Sequence, residues 1–287
     1  MPGFQLLMDP VDEVFLYDGS LAGFYCCVHA CVYGRALPAA IQPQDEVQIT
    51  LLPSRRVPTD RAKALGVREA VARRISPRAL ELCEGVFLTH MDRKEMALLQ
   101  FLRLGFERGS RAAEALADPL VAPLLKAERH LRQEAHLLCG FIRFSDHQGK
   151  LLASISPKNF VLPLLAPHFA DRYAQEAFLI YDRTHQTALV YAQGRWELTA
   201  WEGLQLPPFS QEELFYQALW SQFYDTIAIR ERENPLCRRT HMPMRYWENM
   251  VEMQSALTAP PRLSPAATEP NTLARPGPAA IGSGQTP

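Results

Sequence analysis

The order of hydrophobic and polar residues predicts a chain that begins as a β-α-β unit. The run EVFLYDGS predicts a short strand that ends in a turn at Asp18–Gly19, and EVQITLL, at residues 46–52, alternates as a second strand does. Between them lies LAGFYCCVHACVYG, which is apolar throughout and long enough for a buried helix that ends at Gly34. These three segments together predict two strands joined by one helix.

Residues 54–138 are predicted to be mainly helical, because their apolar residues approach helical spacing and few strand patterns interrupt them. Two of these helices have clear starts. Thr59 or Asp60 is placed to cap the first, and Ser76 is placed to cap a second that opens with Pro77. The runs DRKEMALLQFLRLGFERGS and DPLVAPLLKAERHLRQEAHLL predict two further helices.

Residues 139–200 are predicted to be mainly strand. The run CGFIRFSDHQGKLLASISP predicts a hairpin around Ser145–Gly149, and EAFLIYDRTHQTALVYAQGRWEL predicts two more strands with a turn near Thr184–Gln186. The run between them, NFVLPLLAPHFADRYA, predicts a short helix that follows Pro167. We therefore expect a four-stranded antiparallel sheet that carries one helix.

The last strong helix pattern is SQEELFYQALWSQFYDTIAIRERE, which opens with the capping-box pair Ser210 and Glu213. Its apolar positions form one face of the helix. They are Leu214, Leu219, Phe223 and Ile227. After a loop, Pro243 predicts the start of another helix.

The character of the chain changes at Ser255. Residues 255–287 contain seven prolines and no aromatic residue, so they cannot bury enough apolar area to offset the entropy lost on ordering. The fold class predicted is α+β, with an antiparallel sheet, flanking helices and a helical middle segment. We expect one domain over residues 1–254 and a disordered tail rich in proline and alanine over residues 255–287.

Composition narrows the class of protein. The formal net charge of the 287 residues is -1, so anion binding has to come from a local cluster. The acidic N-terminus lacks the pattern of a signal peptide, and no apolar run reaches the roughly 18 residues that a membrane helix needs. Six cysteines without a CxxC pair fit buried thiols in a reducing compartment. We expect a soluble, cytoplasmic protein of bacterial type, with no membrane contact.

The main candidate for anion binding is residues 227–247, where five arginines stand against two glutamates. Arginine forks suit phosphate, a helix start at Pro243 favours an anion, and an aromatic ring can stack on a base. The predicted site residues are Arg230, Arg232, Arg238, Arg239, His241, Arg245 and Tyr246. The alternative is structural: Trp247 lies in a core, and the arginines pair with glutamates.

A second basic segment is Ser54–Arg78, where eight basic residues, Arg73 and Arg74 among them, stand against two acidic ones. Such density gives phosphate contact that does not depend on base sequence. A solvated helix face balanced by acidic neighbours is the alternative.

Three further positions are secondary candidates. On a helix, His168 lies within reach of Asp171 or Arg172, either as an oriented general base or as a structural polar pair. Asp182 follows a strand-like run, where it either lines a cleft or bonds its local backbone.

The motifs of common chemistries are missing from the sequence. There is no P-loop, no GxGxxG, no HExxH and no zinc-deaminase pattern. The run CCVHAC cannot easily offer four tetrahedral ligands from one helix, so buried thiols are preferred over a metal site. We expect no metal and no cofactor, and no catalytic residue can be assigned.

Five segments occur together in a familiar order: LYDGSLAGFYCCVH, HFADRY, FLIYDRTHQTALVY, LFYQALWSQFYDTIAIRERENP and RTHMPMRYWENM. They resemble a bacterial family of DNA-metabolism proteins, domain of unknown function 4130, over roughly residues 14 to 253. The resemblance implies a partner, a radical SAM protein that modifies or repairs DNA. In some members it implies fusion to a uracil-DNA glycosylase-like domain. It implies no catalytic residues.

We therefore expect an accessory protein of DNA metabolism or DNA repair, which binds nucleic acid or a repair enzyme through the basic-aromatic C-terminal segment. One alternative is a protein–protein adaptor for the radical SAM partner, without direct DNA contact. The other is a nucleic-acid-processing enzyme of unknown chemistry that uses His168, His241 or an aspartate.

Overall fold

A computed structural model describes residues 8–46, 51–111 and 117–254, and for Glu46 and Arg230 it gives the backbone alone. The helices are α1 (Leu21–Gly34), α2 (Arg61–Arg74), α3 (Pro77–Phe87), α4 (Lys94–Arg108), α5 (Ala122–Phe141), α6 (Leu162–Arg172), α7 (Gln211–Ile227) and α8 (Pro235–His241). The strands are β1 (Asp9–Tyr17), β2 (Ala36–Pro43), β3 (Ser54–Arg56), β4 (Ser145–Asp146), β5 (Lys150–Ile155), β6 (Ala177–Asp182), β7 (Thr187–Ala192) and β8 (Arg195–Ala200). The predicted α+β class is confirmed. The predicted tail at residues 255–287 lies outside the described residues.

The N-terminal sheet has the order β2-β1-β3 and is parallel throughout. The predicted β-α-β unit is present, but its second strand is Ala36–Pro43 and not residues 46–52, of which residues 47–50 lie outside the described part. The strand starts early because Arg35, directly after α1, takes a left-handed conformation with φ of 52° and turns the chain straight back to the sheet.

The second sheet has five strands in the order β4-β5-β6-β7-β8. The prediction of four antiparallel strands is wrong in one pair: β5 and β6 are parallel, because α6 forms the crossover between them. The helix α6 starts at Leu162 and not after Pro167, which lies inside it. A proline in the first turn costs no hydrogen bond, so Pro163 is accommodated there.

Two hydrophobic clusters are joined by α5. The first lies between the parallel sheet and α1–α4 and reaches Leu124 at the start of α5. The second lies on the five-stranded sheet, beneath α6 and the C-terminal segment, and reaches Leu131 further along the same helix. The expectation that residues 1–254 form one domain stays a prediction.

The thiols of α1 and α3 lie in the first cluster. Cys27, Cys31 and Cys83 are each 0% exposed. Burial raises the pKa of Cys31 and of Cys83 to about 12, so both thiols keep their protons at neutral pH. Within the described ranges, no group of three or more His, Cys, Asp or Glu could hold a metal ion, and no helix is long and apolar enough to cross a membrane.

A polar clamp holds the end of β1 to the starts of α1 and α2. Asp18 accepts hydrogen bonds from the Ser20 backbone at 2.9 Å, the Ser20 hydroxyl at 2.6 Å and the Thr59 hydroxyl at 2.7 Å. A β-carbon on Gly23 would lie 2.2 Å from Asp18 Oδ1 and 3.0 Å from Thr59 Oγ1. The clamp therefore requires glycine at position 23.

We expect Gly23→Ala to destabilise the protein by about 1–3 kcal/mol, because the added carbon overpacks the clamp. Urea unfolding of the full chain, followed by circular dichroism, measures this. The control is Gly66→Ala in α2, which has nothing within 4 Å of the new carbon and gains helix propensity of up to about 1 kcal/mol. An unfolding midpoint for Gly23→Ala at or above that of the wild type would contradict the clamp.

Candidate functional site

The C-terminal segment begins with two capped helices. Ser210 Oγ accepts from Glu213 N at 3.1 Å at the start of α7, as predicted, and Asn234 Oδ1 accepts from Cys237 N at 2.9 Å at the start of α8. Pro243 is followed by a short 3₁₀ helix, Met244–Asn249. A helix thus does start after Pro243, while Arg238, Arg239 and His241 lie before it on α8, which was not predicted.

Two of the predicted arginines share a small hollow of about 380 Å³ at the junction of α7 and α8. Arg232 and Arg238 line it together with Glu233 and the apolar side chains of Ile227 and Ile229. Arg238 is half-buried, whereas Arg232 is exposed. The hollow therefore combines guanidinium groups with an apolar wall.

Two more predicted residues lie in the last turn of α8. Arg239 and His241 are exposed, and His241 Nδ1 lies 3.0 Å from the carbonyl oxygen of Cys237. No ion pair among the described residues joins Arg232, Arg238 or Arg239 to a carboxylate. Arg230 lies in the 3₁₀ turn Arg230–Arg232, and its side chain is outside the description.

Arg245 and Tyr246 are directed instead to Glu134 of α5. Arg245 Nη2 donates to Glu134 Oε1 at 3.0 Å, and the Tyr246 hydroxyl donates to the same oxygen at 3.0 Å. Tyr246 is 2% exposed and Trp247 is 6% exposed, with the Trp247 indole N–H donating to the Met242 carbonyl at 2.9 Å. The structure thus places Tyr246 and Trp247 in the second cluster, where a base has no access to either ring.

Glu134 also fixes the loop before α6. It accepts from the backbone N–H groups of Lys158 at 3.1 Å and Asn159 at 2.9 Å, and from the Asn159 side-chain amide at 2.6 Å. Burial alone would raise the pKa of this carboxyl, but the hydrogen bonds and the Arg245 charge outweigh burial and lower it. Burial, with the Glu134 charge beside it, raises the pKa of Tyr246 to about 12.

The secondary candidates on α2 and α6 each contact a different neighbour. Arg73 pairs with Glu69 at 3.5 Å, and the Arg74 guanidinium lies 6.0 Å from the ring centre of Phe106. His168 and Arg172 are exposed. His168 contacts the ring of Phe169, and Arg172 lies over the ring of Tyr173. Within the described chain, no hydrogen bond or ion pair links His168 to Asp171 or Arg172.

Asp182 is the one secondary candidate that is completely buried, and it holds its local turn. It accepts from the backbone N–H groups of Thr184 at 2.9 Å and His185 at 3.1 Å, and its Oδ2 lies 2.6 Å from His185 Nδ1. Sequence reasoning missed His185, although the spacing in DRTH was a signal. Such a pair can orient a base. Among the described residues, however, no serine, threonine or cysteine side chain bonds the ring.

A groove of about 1030 Å³ lies between α7 and the body of the protein. Its lining residues on α7 include Tyr216, Leu219, Trp220 and Phe223, and Phe144 and Tyr173 also line it, from the body. The apolar face of α7 is therefore exposed. The exposed fractions are 43% for Leu214, 51% for Leu219, 52% for Phe223 and 58% for Ile227.

The reason lies in how few contacts fasten α7. Glu213 accepts from Asp146 N at 3.0 Å, the Arg143 guanidinium lies 5.8 Å from the Trp220 ring, and the 3₁₀ helix Val251–Met253 packs on one side. Tyr224 packs against the second cluster, whereas Leu214, Phe215, Leu219 and Ile227 stay exposed. The periodicity of apolar residues could not predict this exposure, because it identifies the apolar face of a helix but not the element that covers that face.

Comparison with known proteins identifies a family. The family model DUF4130, a domain of unknown function, matches residues 92–252. The match includes the five-stranded sheet, Glu134 and the hollow between α7 and α8. No curated protein matches the chain.

We expect Glu134→Gln to lower the free energy of unfolding by about 2 kcal/mol at neutral pH, the size of hydrogen bonds to a charged group. Folding lowers the pKa of Glu134 below its ordinary value of 4.5. The carboxylate therefore stabilises the folded protein fully at pH values above 4.5, and this stabilisation is lost as the pH falls through the lowered pKa. The gap between wild type and variant should therefore narrow in acid. Urea unfolding at a series of pH values measures the gap.

The matched control is Glu69→Gln, which removes the exposed partner of Arg73 on α2. It should change the free energy of unfolding by less than about 0.5 kcal/mol at every pH, because exposed pairs contribute little. A gap for Glu134→Gln that widens in acid would contradict the assigned direction of the pKa.

Proposed function

The chain belongs to the DUF4130 family, and we propose that it is a nucleic-acid-binding accessory protein of DNA metabolism or repair. The proposal joins the resemblance of the chain to DNA-metabolism proteins with the surface formed by α8 and the end of α7. A cytoplasmic location is part of the proposal. It is supported by the free cysteines, among them Cys237, whose thiol is exposed.

The observation that carries the proposal is a set of arginines without carboxylate partners. Arg232, Arg238 and Arg239 make no ion pair within the described chain, although Glu231 and Glu233 are close in sequence and exposed. A guanidinium without a carboxylate partner keeps its N–H groups free, and it can bind a phosphate group through two parallel hydrogen bonds. The proposed contact is therefore with the nucleic-acid backbone.

The bonds to Glu134 support this role indirectly. Arg245 and Tyr246 fasten the chain just after α8 to α5, so the arginines of α8 are presented on an anchored segment. Anchoring lowers the entropy that must be lost when a ligand binds. With Tyr246 buried, the proposal rests on phosphate contact and not on stacking of a base, and we expect affinity to depend little on base sequence.

Binding of a labelled oligonucleotide to the full chain, followed by fluorescence anisotropy across a salt series, tests the proposal. Wild-type affinity should fall linearly with salt on logarithmic axes, and Arg238→Ala/Arg239→Ala should reduce that slope by roughly 0.7–0.9 for each phosphate that the variant no longer binds. The control Lys126→Ala/Arg129→Ala removes two exposed cations from α5 and should leave the slope unchanged. Absence of wild-type binding at low salt rejects direct DNA contact. An equal fall in slope for both variants rejects α8 as the specific binding surface.

The second candidate function is an adaptor for a radical SAM DNA-repair protein, without direct DNA contact. The observation that favours it is the apolar surface of α7 outside the groove, where Leu214 and Phe215 are 43% and 63% exposed and neither lines the groove. Exposed apolar and aromatic side chains in a row are typical of protein interfaces.

For the adaptor, co-purification with the radical SAM protein should survive high salt, because burial of apolar surface is not screened by ions. Phe215→Ser should abolish it, whereas Gln222→Ser, an exposed polar position on the same helix, should not. If the pair dissociates in high salt, or if both variants behave alike, the apolar surface is not the interface.

A further inference from the structure

The groove beside α7 is lined by aromatic rings from both of its sides. Tyr216 and Trp220 are 56% and 42% exposed, and Phe223 is 52% exposed. Tyr173 and Phe144 also line it, from the body of the protein. The aromatic lining of the groove indicates which kind of ligand it can bind.

Grooves lined by aromatic side chains bind proline-rich segments in the extended polyproline II conformation. Proline rings pack flat against tyrosine and tryptophan, and the segment is already extended before it binds, so little conformational entropy is lost. The chemistry of the groove therefore favours a proline-rich chain over a helix or a small polar ligand.

The chain supplies such a segment next to the groove. The described residues end at Gln254, directly after the 3₁₀ helix Val251–Met253, which packs on α7 and places Val251 in the groove wall. The sequence that follows is SALTAPPRLSPAATEP, which has prolines at positions 260, 261, 265 and 270. The described chain thus ends three residues after Val251, a residue of the groove wall.

The length of this segment is sufficient. At about 3.1 Å per residue, residues 255–265 span roughly 34 Å in polyproline II. The seventeen residues of α7 span roughly 25 Å at 1.5 Å per residue. Attachment at Gln254 also raises the local concentration of the segment to roughly the millimolar range, so a weak contact suffices for occupancy.

We propose that the aromatic groove between α7 and the body of the protein is the docking site of the chain's own proline-rich segment, residues 255–270. This inference is independent of nucleic-acid binding, because the lining of the groove contains neither Arg238 nor Arg239. Docking covers Trp220 and leaves the arginines of α8 open.

Three tryptophans make the test internally controlled. Trp196, Trp201 and Trp220 are 43%, 45% and 42% exposed, so they are equally open to solvent unless something occupies the groove. The full chain is labelled with 5-fluorotryptophan, the four fluorine resonances are assigned with single Trp→Phe variants, and the shift between H₂O and D₂O is measured for each. In the wild type, Trp220 should show a clearly smaller solvent shift than Trp196 and Trp201.

Variants of the tail then identify the occupant without disturbing the fold. Pro260→Ser/Pro261→Ser/Pro265→Ser should raise the solvent shift of Trp220 to the level of Trp196 and Trp201. Pro276→Ser/Pro278→Ser, further along the same tail, should leave it low. The protection of Trp220 should also be the same at all protein concentrations, because the segment is attached.

Each other result overturns the proposal. A Trp220 as open as the other two in the wild type means that nothing fills the groove. Protection that fades on dilution identifies a second copy of the chain as the occupant. Protection that persists in both tail variants at every dilution identifies some other part of the protein.

Discussion

A carboxylate buried away from water requires hydrogen bonds to match its charge, and the C-terminal third of this protein depends on how Glu134 meets that requirement. Its donors come from three places: the loop before α6, the guanidinium of Arg245 and the hydroxyl of Tyr246. Removing any donor leaves charge in the core without full compensation. The position of the segment that follows α8 is thus determined by a residue in the middle of α5.

The same helix carries a second buried carboxylate at Glu128, whose partners are Arg78 of α3 and Arg132 one turn further along α5. Hydrogen bonds from both arginines lower the pKa of Glu128 against the opposing effect of burial. Glu128 joins α5 to the helical layer, and Glu134 joins it to the C-terminal segment. The helix α5 also contributes Leu124 to the first hydrophobic cluster and Leu131 to the second. Polar and apolar contacts of this one helix therefore hold the two clusters together.

Features set by neighbouring residues could be predicted from the sequence, and those set by distant residues could not. The caps at Asp60, Ser76 and Ser210 are as expected, because a cap depends on the next three residues. The parallel pairing of β5 with β6 depends on where α6 crosses, which no local pattern records. Among the candidate site residues, Arg238 and Arg245 look alike in sequence. They differ because Arg245 bonds Glu134, which lies 111 residues earlier in the chain and fixes Arg245 to α5. Arg238 has no carboxylate partner among the described residues.

The exposed apolar face of α7 is explained by the few contacts that hold this helix. Arg143 pairs with the buried Glu252 at 2.6 Å and lies over the Trp220 ring. The helix is therefore fastened beside the 3₁₀ helix Val251–Met253 and at Glu213 near its start. The rest of its apolar face stays open. A helix with few buried contacts is a low-stability element, and its position changes at little cost in free energy. The groove includes Phe223 and the hollow includes Ile227, one turn further along α7, so the two sites are neighbours on one helix and are lined by different residues.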